Sequence, residues 1–458
     1  MPGLFQGIGT MSGALRAFQL ALDVTGNNLT NVNTTGYSRQ TLRLTEVDPT
    51  RDSNFYVGNG VTITSISRIQ DQFLYARQIQ ASSEDGRLGS LLAGLNNVQA
   101  VANATNGSSI GDALTAFFNS WSALGSSPGD GALRQQVQQA GITLAGRVSG
   151  MYADLQAQGK QNQSQIAGTI QQAQTLVNQI ANLNQRIREQ MVSGAAPNDL
   201  LDARDQAVQQ LSEIMPVKVQ PQADGSVMLF SGQMTLVDQT GAATIPTSFD
   251  AIAGTLTDGT NTYPMPSGRL AGLFQTTQKL SSYQSQLDTL ANTLRTEFNS
   301  IHATGTNALG ATGQNFFKDV APGNPQTGAI DFQVDPAIVA DPRAIATGVS
   351  GNPGDGGLAL SMSNLRDAQI VSLGGRTFNG YFGSLVSTIG QDASSAQSSS
   401  NTSSAVLQQI VQQIQSVSGV SIDEEMSNML RFQRSYQAAA KALSVFDQTT
   451  DDLINMLH

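Results

Sequence analysis

Two heptad repeats, one at each end of the chain, constrain the fold more than any other feature. The N-terminal repeat alternates steps of three and four residues, and apolar side chains occupy every position of it except Thr25. This spacing is typical of a coiled-coil seam rather than of a helix with one broad apolar face. The apolar members of this seam are Ile8, Met11, Leu15, Phe18, Leu22, Leu29 and Val32.

The C-terminal repeat is longer and runs from residue 422 to residue 457, with polar side chains at Glu425 and Thr450. As a helix it would extend for about 54 Å, at about 1.5 Å per residue. Its apolar and aromatic members are Ile422, Met429, Phe432, Tyr436, Ala439, Leu443, Phe446, Leu453 and Leu457. If the two seams pair, the ends of the chain meet and every other segment is inserted between them.

The N-terminal helix is intrinsically weak because it contains several glycines, among them Gly7, Gly9, Gly13 and Gly26. Each glycine lowers helix propensity by about 1 kcal/mol relative to alanine. Both seams have the pattern of ordinary core helices in a bundle, but a helix this weak needs a partner. We therefore expect the ends to be poorly ordered in the monomer and to fold against neighbouring subunits.

Short β-type runs follow the first helix. The stretch "TLRLTEV" alternates like a strand, and "NFYVGNGVTITSI" predicts two strands joined by a turn at Gly58-Asn59-Gly60. We interpret residues 37–67 as a β-hairpin connector. A second β region is predicted over residues 216–268, where the turn pairs Asp224-Gly225 and Asp258-Gly259 separate short strands.

Helical periodicity fills most of the remaining chain and predicts a bundle of long helices from residues 68–215 and 269–417. Within it, residues 305–357 are irregular, and Asp335-Pro336 and Asp341-Pro342 predict two short helical turns. The serine-rich segment 390–406 has the composition of a flexible linker, but its three-four spacing favours a closely packed helix.

The predicted fold class is mainly α with an inserted β domain. The terminal helices, residues 1–36 plus 418–458, pair as a coiled-coil domain beside the helical bundle. Residues 216–268 form a small β domain that is inserted into the bundle.

Composition argues against several classes of protein. The chain has 458 residues and a net charge of −10, and its 24 Lys and Arg residues are scattered, which argues against nucleic-acid binding. It has no run of 18 apolar residues that would span a membrane, and its N-terminus lacks the pattern of a cleaved signal peptide. Cysteine is absent, so disulfides and thiolate chemistry are excluded.

Catalytic patterns are weak. Residues 107–111, "GSSIG", match a nucleophile motif around Ser109, but no convincing strand precedes them and the histidines are His302 and His458 alone. A helix start near Ser108 or Ser109 is the better interpretation. The acidic pairs Glu424-Glu425 and Asp451-Asp452 are interpreted as solvated faces. We expect no enzymatic activity, no cofactor and no metal site.

The two ends also resemble a known family. Residues 18–40, "FQLALDVTGNNLTNVNTTGYSRQ", resemble the N-terminal signature of bacterial flagellar axial proteins, and the ending "GYSRQ" resembles the hook-associated protein 1 family. Residues 418–457 are similar to the end of that family, through "SGVSIDEE" followed by "FQ" and a tyrosine, although Met426 stands where the family often has an aromatic residue. The motif residues are Asn27, Asn28, Asn31, Asn33, Thr34, Gly36, Tyr37, Ser38, Arg39 and Gln40.

This resemblance implies a structural adaptor that polymerises at the distal end of the flagellar hook and joins hook to filament. It implies paired terminal helices that line a tube, with the bundle as the next layer and the β domain outermost. It also implies an extracellular location and export without a cleaved signal peptide through the flagellar type III channel. The implied partners are other copies of the chain, the hook protein, the second hook-associated protein and a chaperone that holds the C-terminal helix.

Two other functions stay open at this point. A rod or hook component would share the terminal motifs, and a secreted adhesin or effector would display the β domain. On the leading interpretation, Leu29 and Val32 form the last turn of the inner helix. Asn31, Asn33 and Gly36 then end it, because Asn competes for backbone hydrogen bonds and Gly tolerates left-handed geometry.

Overall fold

The computed structural model describes residues 2–52, 55–103, 109–194, 196–319 and 328–456. Long helices dominate these ranges, which confirms the predicted fold class. The α-helices are α1 (Pro2–Thr30), α2 (Gln72–Asn103), α3 (Ile110–Ser126), α4 (Gly131–Val192), α5 (Asn198–Ile214), α6 (Gly268–His302), α7 (Pro336–Ala340), α8 (Gly357–Asn364), α9 (Phe378–Ser418) and α10 (Ile422–Asn455).

The strands are short and all of their pairings are antiparallel. They are β1 (Gln40–Glu46), β2 (Thr50–Asp52), β3 (Phe55–Val57), β4 (Val61–Arg68), β5 (Lys218–Pro221), β6 (Val227–Ser231), β7 (Met234–Val237), β8 (Ser248–Asp250), β9 (Thr255–Thr257), β10 (Thr262–Pro264), β11 (Thr306–Asn307) and β12 (Ala346–Gly348). The sheets within the described ranges are β1-β4, β2-β3, β5-β6-β7, β8-β9-β10 and β11-β12.

The segments group into two compact units by their contacts. The first unit comprises Met1–Asp85, Gln171–Pro246 and Ser403–His458, and the second comprises Gly86–Ile170 and Thr247–Thr402. This grouping does not test the layered domain division predicted from the sequence, which stays a prediction. The strands between residues 216 and 268 form two separate three-stranded sheets, one in each unit.

The second unit is built around a buried aromatic cluster. Phe117 lies 5.0 Å from Phe298 and 5.4 Å from Phe316 between ring centroids, and Trp121 lies 5.3 Å from Phe316. His302, at the end of α6, is fully buried beside this cluster. Such tilted and edge-on arrangements add to the free energy gained from burying the ring surfaces.

The same unit confirms two predictions about helix starts. Ser109 is the N-cap of α3, where its hydroxyl accepts from Asp112 N at 3.1 Å and its own backbone N donates to the Asp112 carboxylate at 3.0 Å. This capping box explains the "SSIG" sequence without any catalytic role. Asp335 and Asp341 likewise cap the short helices that begin at Pro336 and Pro342.

Helix α9 confirms that the serine-rich segment 390–406 is helical. Ala393, Ala396 and Ser403 are each less than one-tenth exposed, so small side chains form the packed face of this segment. The small side chains of this segment therefore allow close packing, and the segment is not a linker.

The first unit contains both ends of the chain. Helix α1 packs against α10 and against strands β1 and β4, and α5 lies beside the junction of α1 and β1. The terminal helices therefore pair, as the two heptad repeats predicted. None of the helices within the described ranges is both long and apolar enough to cross a lipid bilayer.

The predicted hairpin turn at Gly58-Asn59-Gly60 is wrong. Strand β3 pairs with β2, and β4 pairs with β1, so this turn joins strands of two different sheets. Asn59 explains the change of partner, because its side chain donates back to Asp48 O and Thr50 Oγ1, both at 2.6 Å. Gly60 adopts the left-handed backbone conformation that this turn between the two sheets requires, with φ of +84°.

Candidate functional site

The buried face of α1 lies one residue before the predicted seam. Ala17, Ala21, Val24 and Asn28 are at most 7% exposed. They have the same three-four spacing as the predicted seam. Because each lies one residue earlier, the buried face is turned by about 100° around the helix axis from the predicted one. The small side chains at positions 17 and 21 allow neighbouring elements to approach closely, which explains the rotation.

The predicted seam residues of α1 therefore flank the buried face. Ile8, Met11, Leu15, Phe18, Leu22 and Leu29 are half-buried on the helix. Val32 lies beyond Thr30, where α1 ends, so its prediction as part of the last helical turn is wrong. Whether the flanking side chains contact other subunits stays a prediction.

On α10 the predicted seam faces α1 only in part. Met429, Phe432, Leu443 and Phe446 are half-buried, and Phe446 contacts Gly7 of α1. Ile422, Tyr436 and Leu453 are exposed, and Leu457 lies outside the described residues. The buried residues of α10 are Glu425 and Ala439, both of them at positions of the predicted repeat.

The end of α1 is made by the asparagine and threonine side chains of the signature motif. Asn31 Nδ2 donates to Asn27 O at 3.0 Å and to Asn27 Oδ1 at 2.8 Å, while Thr34 Oγ1 donates to Asn31 Oδ1 at 3.1 Å. These bonds occupy carbonyl and amide groups that a longer helix would use. Asn27, Asn33 and Thr34 are exposed, and this end of the helix faces solvent.

Asn28 is the centre of the site. It is 1% exposed, and its Oδ1 accepts from Gln40 N at 2.9 Å and from the Tyr37 hydroxyl at 2.7 Å. Its Nδ2 donates to Gln40 O at 2.9 Å and to Glu425 Oε2 at 3.1 Å. One amide therefore joins α1, the first residues of β1 and the start of α10.

Glu425 completes this connection from the other end of the chain. Arg39 donates from Nε to Glu425 Oε1 at 2.7 Å, and from a terminal nitrogen to Glu424 Oε2 at 2.8 Å. The Glu424 side chain is 62% exposed and that of Glu425 is 3% exposed. The interpretation of this acidic pair as a solvated face is therefore wrong for Glu425. We call Asn28, Tyr37, Arg39, Gln40 and Glu425 the terminal junction.

A second set of contacts connects the junction to α5, and these contacts were not predicted. Ser38 donates from N and Oγ to the Asp202 carboxylate at 3.0 and 2.8 Å. Arg68 forms ion pairs with Asp202 at 2.8 Å and with Asp205 at 2.6 Å. Asp199 and Asp202, in the first turns of α5, also lie where the helix N-terminus favours negative charge.

The remaining motif residue, Gly36, has φ of +84°, and a β-carbon there would lie 3.5 Å from the Gln206 side chain. Glycine fits this position because few other residues adopt that backbone conformation. After the turn at Gly36, Tyr37 contacts α1 and Ser38 contacts α5.

The electrostatic environment of the junction is strongly negative. Burial is the largest cause that raises the pKa of Tyr37 to about 12, and Asp202, Asp199 and Glu425 act in the same direction. Burial alone would lower the pKa of Arg68, but Asp205 and Asp202 outweigh it and raise that pKa above its ordinary value. The charged form of Arg68 is therefore favoured within its ion pairs.

This arrangement is suited to fastening helices rather than to chemistry. Its ionisable groups are held in mutual hydrogen bonds and ion pairs. Among the described residues no group of three or more His, Cys, Asp or Glu side chains is placed to hold a metal ion.

Known proteins of the bacterial flagellum resemble this chain along nearly its full length. Family models match residues 95–317 (flagellar hook-associated protein FlgK helical domain), 411–456 (flagellar basal body rod FlgEFG protein, C-terminal) and 8–37 (flagella basal body rod protein). Hook-associated protein 1 of Salmonella typhimurium is 27% identical, with 97% of this chain and 98% of the relative covered. The same protein of Bacillus subtilis is 27% identical, with 99% of each chain covered.

The chain is similar to flagellar hook-associated protein 1 over nearly its full length. The resemblance inferred from its two ends is thereby confirmed. Hook-associated protein 1 of Escherichia coli is 28% identical and covers 97% of the chain. The fold is similar to that of the flagellar hook junction protein FlgK from Burkholderia pseudomallei, with a TM-score of 0.64 at 18% identity. That similarity covers 76% of this chain and 100% of the other.

Proposed function

We propose that this protein is a structural adaptor of the bacterial flagellum that joins the hook to the filament. The observation that carries the proposal is the match to hook-associated protein 1 over nearly the full length of the chain. The pairing of α1 with α10 supports it, since an adaptor of this kind needs ends that fold together before or during assembly.

Within this function the terminal helices form the inner layer of the assembled structure. Residues 1–36 and 418–458 pack with those of neighbouring copies, and the half-buried side chains of the predicted α1 seam supply part of that contact. The exposed apolar side chains of α10, among them Met426 at 45% and Leu430 at 52%, support this role, because apolar rows on a soluble helix mark contact surfaces. The bundle forms the next layer, and residues 216–268 lie outermost.

The partners follow from this position in the flagellum. The protein contacts copies of itself, the hook protein on one side and the second hook-associated protein on the other. A dedicated chaperone covers the exposed α10 before export. The protein acts outside the cell, and it has no enzymatic role.

This function is tested by deleting the gene and imaging the cells by electron microscopy. An immunoblot then measures flagellin in the medium. Cells without the protein should carry hooks that lack filaments and should release flagellin, and the intact chain supplied in trans should restore filaments. Missing hooks would place the protein in the rod or hook instead. Normal filaments would contradict an axial role and favour a secreted adhesin or effector.

A further inference from the structure

The apolar contact between α1 and α10 has a repeating character. Met429, Phe432, Leu443 and Phe446 recur at heptad spacing along α10, so a displacement of one heptad would again place apolar side chains against α1. Such a displacement moves α10 by about 10 Å at 1.5 Å per residue. Repeated apolar side chains alone therefore discriminate weakly between neighbouring registers.

Two contacts show which register the chain adopts. Gly7 of α1 contacts Phe446, and Asn28 of α1 contacts Glu425. Residues 7 and 28 are 21 positions apart, as are residues 425 and 446, so both contacts belong to one antiparallel register. Something other than the apolar repeat must select it.

Glu425 interrupts the repeat at a seam position and is 2% exposed. Both of its carboxylate oxygens are satisfied, one by Arg39 Nε at 2.7 Å and the other by Asn28 Nδ2 at 3.1 Å. A shift of α10 by one heptad in one direction would bring Phe432 to the same place. A shift in the other direction would bring the turn that precedes α10, because Ser418 is already the last residue of α9. Neither offers a carboxylate, so the Arg39 charge and the Asn28 amide would lose their acceptor. A buried donor without a partner is strongly unfavourable, and more so when it is charged.

The groups that receive Glu425 are themselves held in place. Asn28 is fixed by its bonds to the backbone N and O of Gln40. Arg39 is anchored through its backbone, because Ile69 N donates to Arg39 O at 2.8 Å and Arg39 N donates to Ser418 O at 3.0 Å. The acceptor position on α10 is therefore defined by α1 and β1 together.

We propose that Glu425, held by Asn28 and Arg39, sets the register in which α10 packs against α1. It acts as a positioning residue: it selects one of several apolar pairings rather than supplying most of the contact. Register determines which exposed side chains of α10 stand beside a given turn of α1. The importance of this selection for assembly rests on the proposed function, but the selection itself is a property of the single chain.

The absence of cysteine from the sequence allows a direct test by thiol crosslinking in the purified, full-length monomer. Gly7→Cys with Phe446→Cys reports the observed register. Gly7→Cys with Ala439→Cys, or with Leu453→Cys, reports a displacement of one heptad in either direction. These two pairs also carry Phe446→Ala, so that the β-carbon at position 7 does not meet the Phe446 ring in any of the three variants. A bifunctional reagent shorter than the heptad rise, about 10 Å, separates these states.

With Glu425 present, the 7–446 pair should crosslink about tenfold more than either displaced pair, since one unpaired buried group corresponds to about a factor of ten. Glu425→Leu makes the repeat continuous and should reduce that preference to less than about threefold. Glu424→Leu is the matched control, because Glu424 shares the Arg39 partner but is exposed. It should leave the preference unchanged, and Glu425→Gln, which keeps an acceptor, should retain most of it.

An unchanged preference in Glu425→Leu would overturn the proposal. Loss of crosslinking in all three pairs would also overturn it, because Glu425 would then hold α10 in place without selecting a register. A Glu424→Leu variant as strongly affected as Glu425→Leu would assign the effect to general charge. None of these results depends on flagellar assembly, so the proposed function stands or falls separately in the deletion experiment.

Discussion

Phe446 of α10 lies so close to Gly7 of α1 that a β-carbon on residue 7 would come within 2.9 Å of the ring atom Cζ. This contact requires glycine at position 7, whereas a β-carbon at Gly9 would meet nothing within 4 Å. Two glycines on the same weak helix thus have different roles. One admits an aromatic ring, and the other merely lowers helix propensity.

We predict that Gly7→Leu and Gly9→Leu have opposite effects on the terminal helices. Each change should raise the helix propensity of α1 by about 1 kcal/mol. At position 7 the added side chain also collides with Phe446, and overpacking of this kind destabilises by about 1–3 kcal/mol. Amide hydrogen exchange of residues 422–455 measures the outcome: faster in Gly7→Leu, unchanged or slower in Gly9→Leu. Equal protection in the two variants would contradict the contact.

The second prediction concerns Asn28. Asn28→Asp preserves the shape of the side chain but removes its donors and places a carboxylate beside Glu425. Uncompensated charge in a buried network destabilises by about 3 kcal/mol or more. The midpoint of urea denaturation of the terminal helices, followed by far-UV circular dichroism, should fall accordingly. Asn31→Asp is the control, since the Asn31 side chain bonds to solvent-exposed groups. A comparable loss there would argue against a special role for Asn28.

The third prediction is a loss of stability in alkaline solution through Tyr37. The pKa of this group is 10.0 in the unfolded chain and about 12 in the folded protein, chiefly because of burial. Folding therefore favours the protonated phenol, and the associated stability is present below pH 10 and is lost as pH rises towards 12. Tyr37→Phe lacks this dependence. The parent and Tyr37→Phe should therefore differ less in the midpoint of denaturant unfolding above pH 10 than below it. A difference that stays constant with pH would contradict the prediction.

The fourth prediction concerns acid and the second unit. His302 Nε2 accepts from Ala346 N at 2.9 Å, so its other ring nitrogen donates to Gln314 O. Burial is the main cause that lowers the pKa of His302 from 6.5 to about 4. The unfolded chain thus binds the proton more tightly, and stability is complete above pH 6.5 and falls as pH drops towards 4.

The single tryptophan reports this change directly, because the Trp121 and His302 ring centroids are 6.2 Å apart. Between pH 6.5 and 4 the unfolding midpoint followed by tryptophan fluorescence should decrease, with a total effect of about 3 kcal/mol for a shift of this size. His302→Gln removes the titrating group and should flatten the dependence in that range. An equally steep dependence in that variant would assign the acid sensitivity to other groups.

Sequence reasoning succeeded where local chemistry decides the structure. The heptad spacing predicted that the two ends pair, and Ser109, Asp335 and Asp341 cap helices as their residue types indicate. It failed where the partner is distant in the chain. Glu425 is charged and follows another acid, so it resembles a surface residue, yet its acceptor role depends on Asn28, 397 positions away.

One feature of the sequence does mark Glu425 as unusual, although it does not reveal the partner. The residue falls on a seam position of the C-terminal repeat, where a solvated side chain is not expected. The Ser38–Asp202 contact, by contrast, joins residues 164 positions apart. Ser38 lies in the signature motif, but nothing in that motif indicates Asp202 as its partner. The corner at Asn59 likewise depends on bonds to Asp48 and Thr50, which the Gly-Asn-Gly sequence alone does not specify.

The terminal junction also restricts how the gene can be recombined. Asn28 and Arg39 are encoded near the start of the sequence and Glu425 near its end, so a chimera that takes one end from a divergent relative inherits half of a matched set. Exchanging the first 70 residues together with α5 and the last 45, as a single cassette, keeps the set and its contacts to α5 intact, whereas exchanging either end alone separates a buried charge from its partner. Designs for hybrid or truncated hook junctions should therefore treat the two ends as one inseparable module.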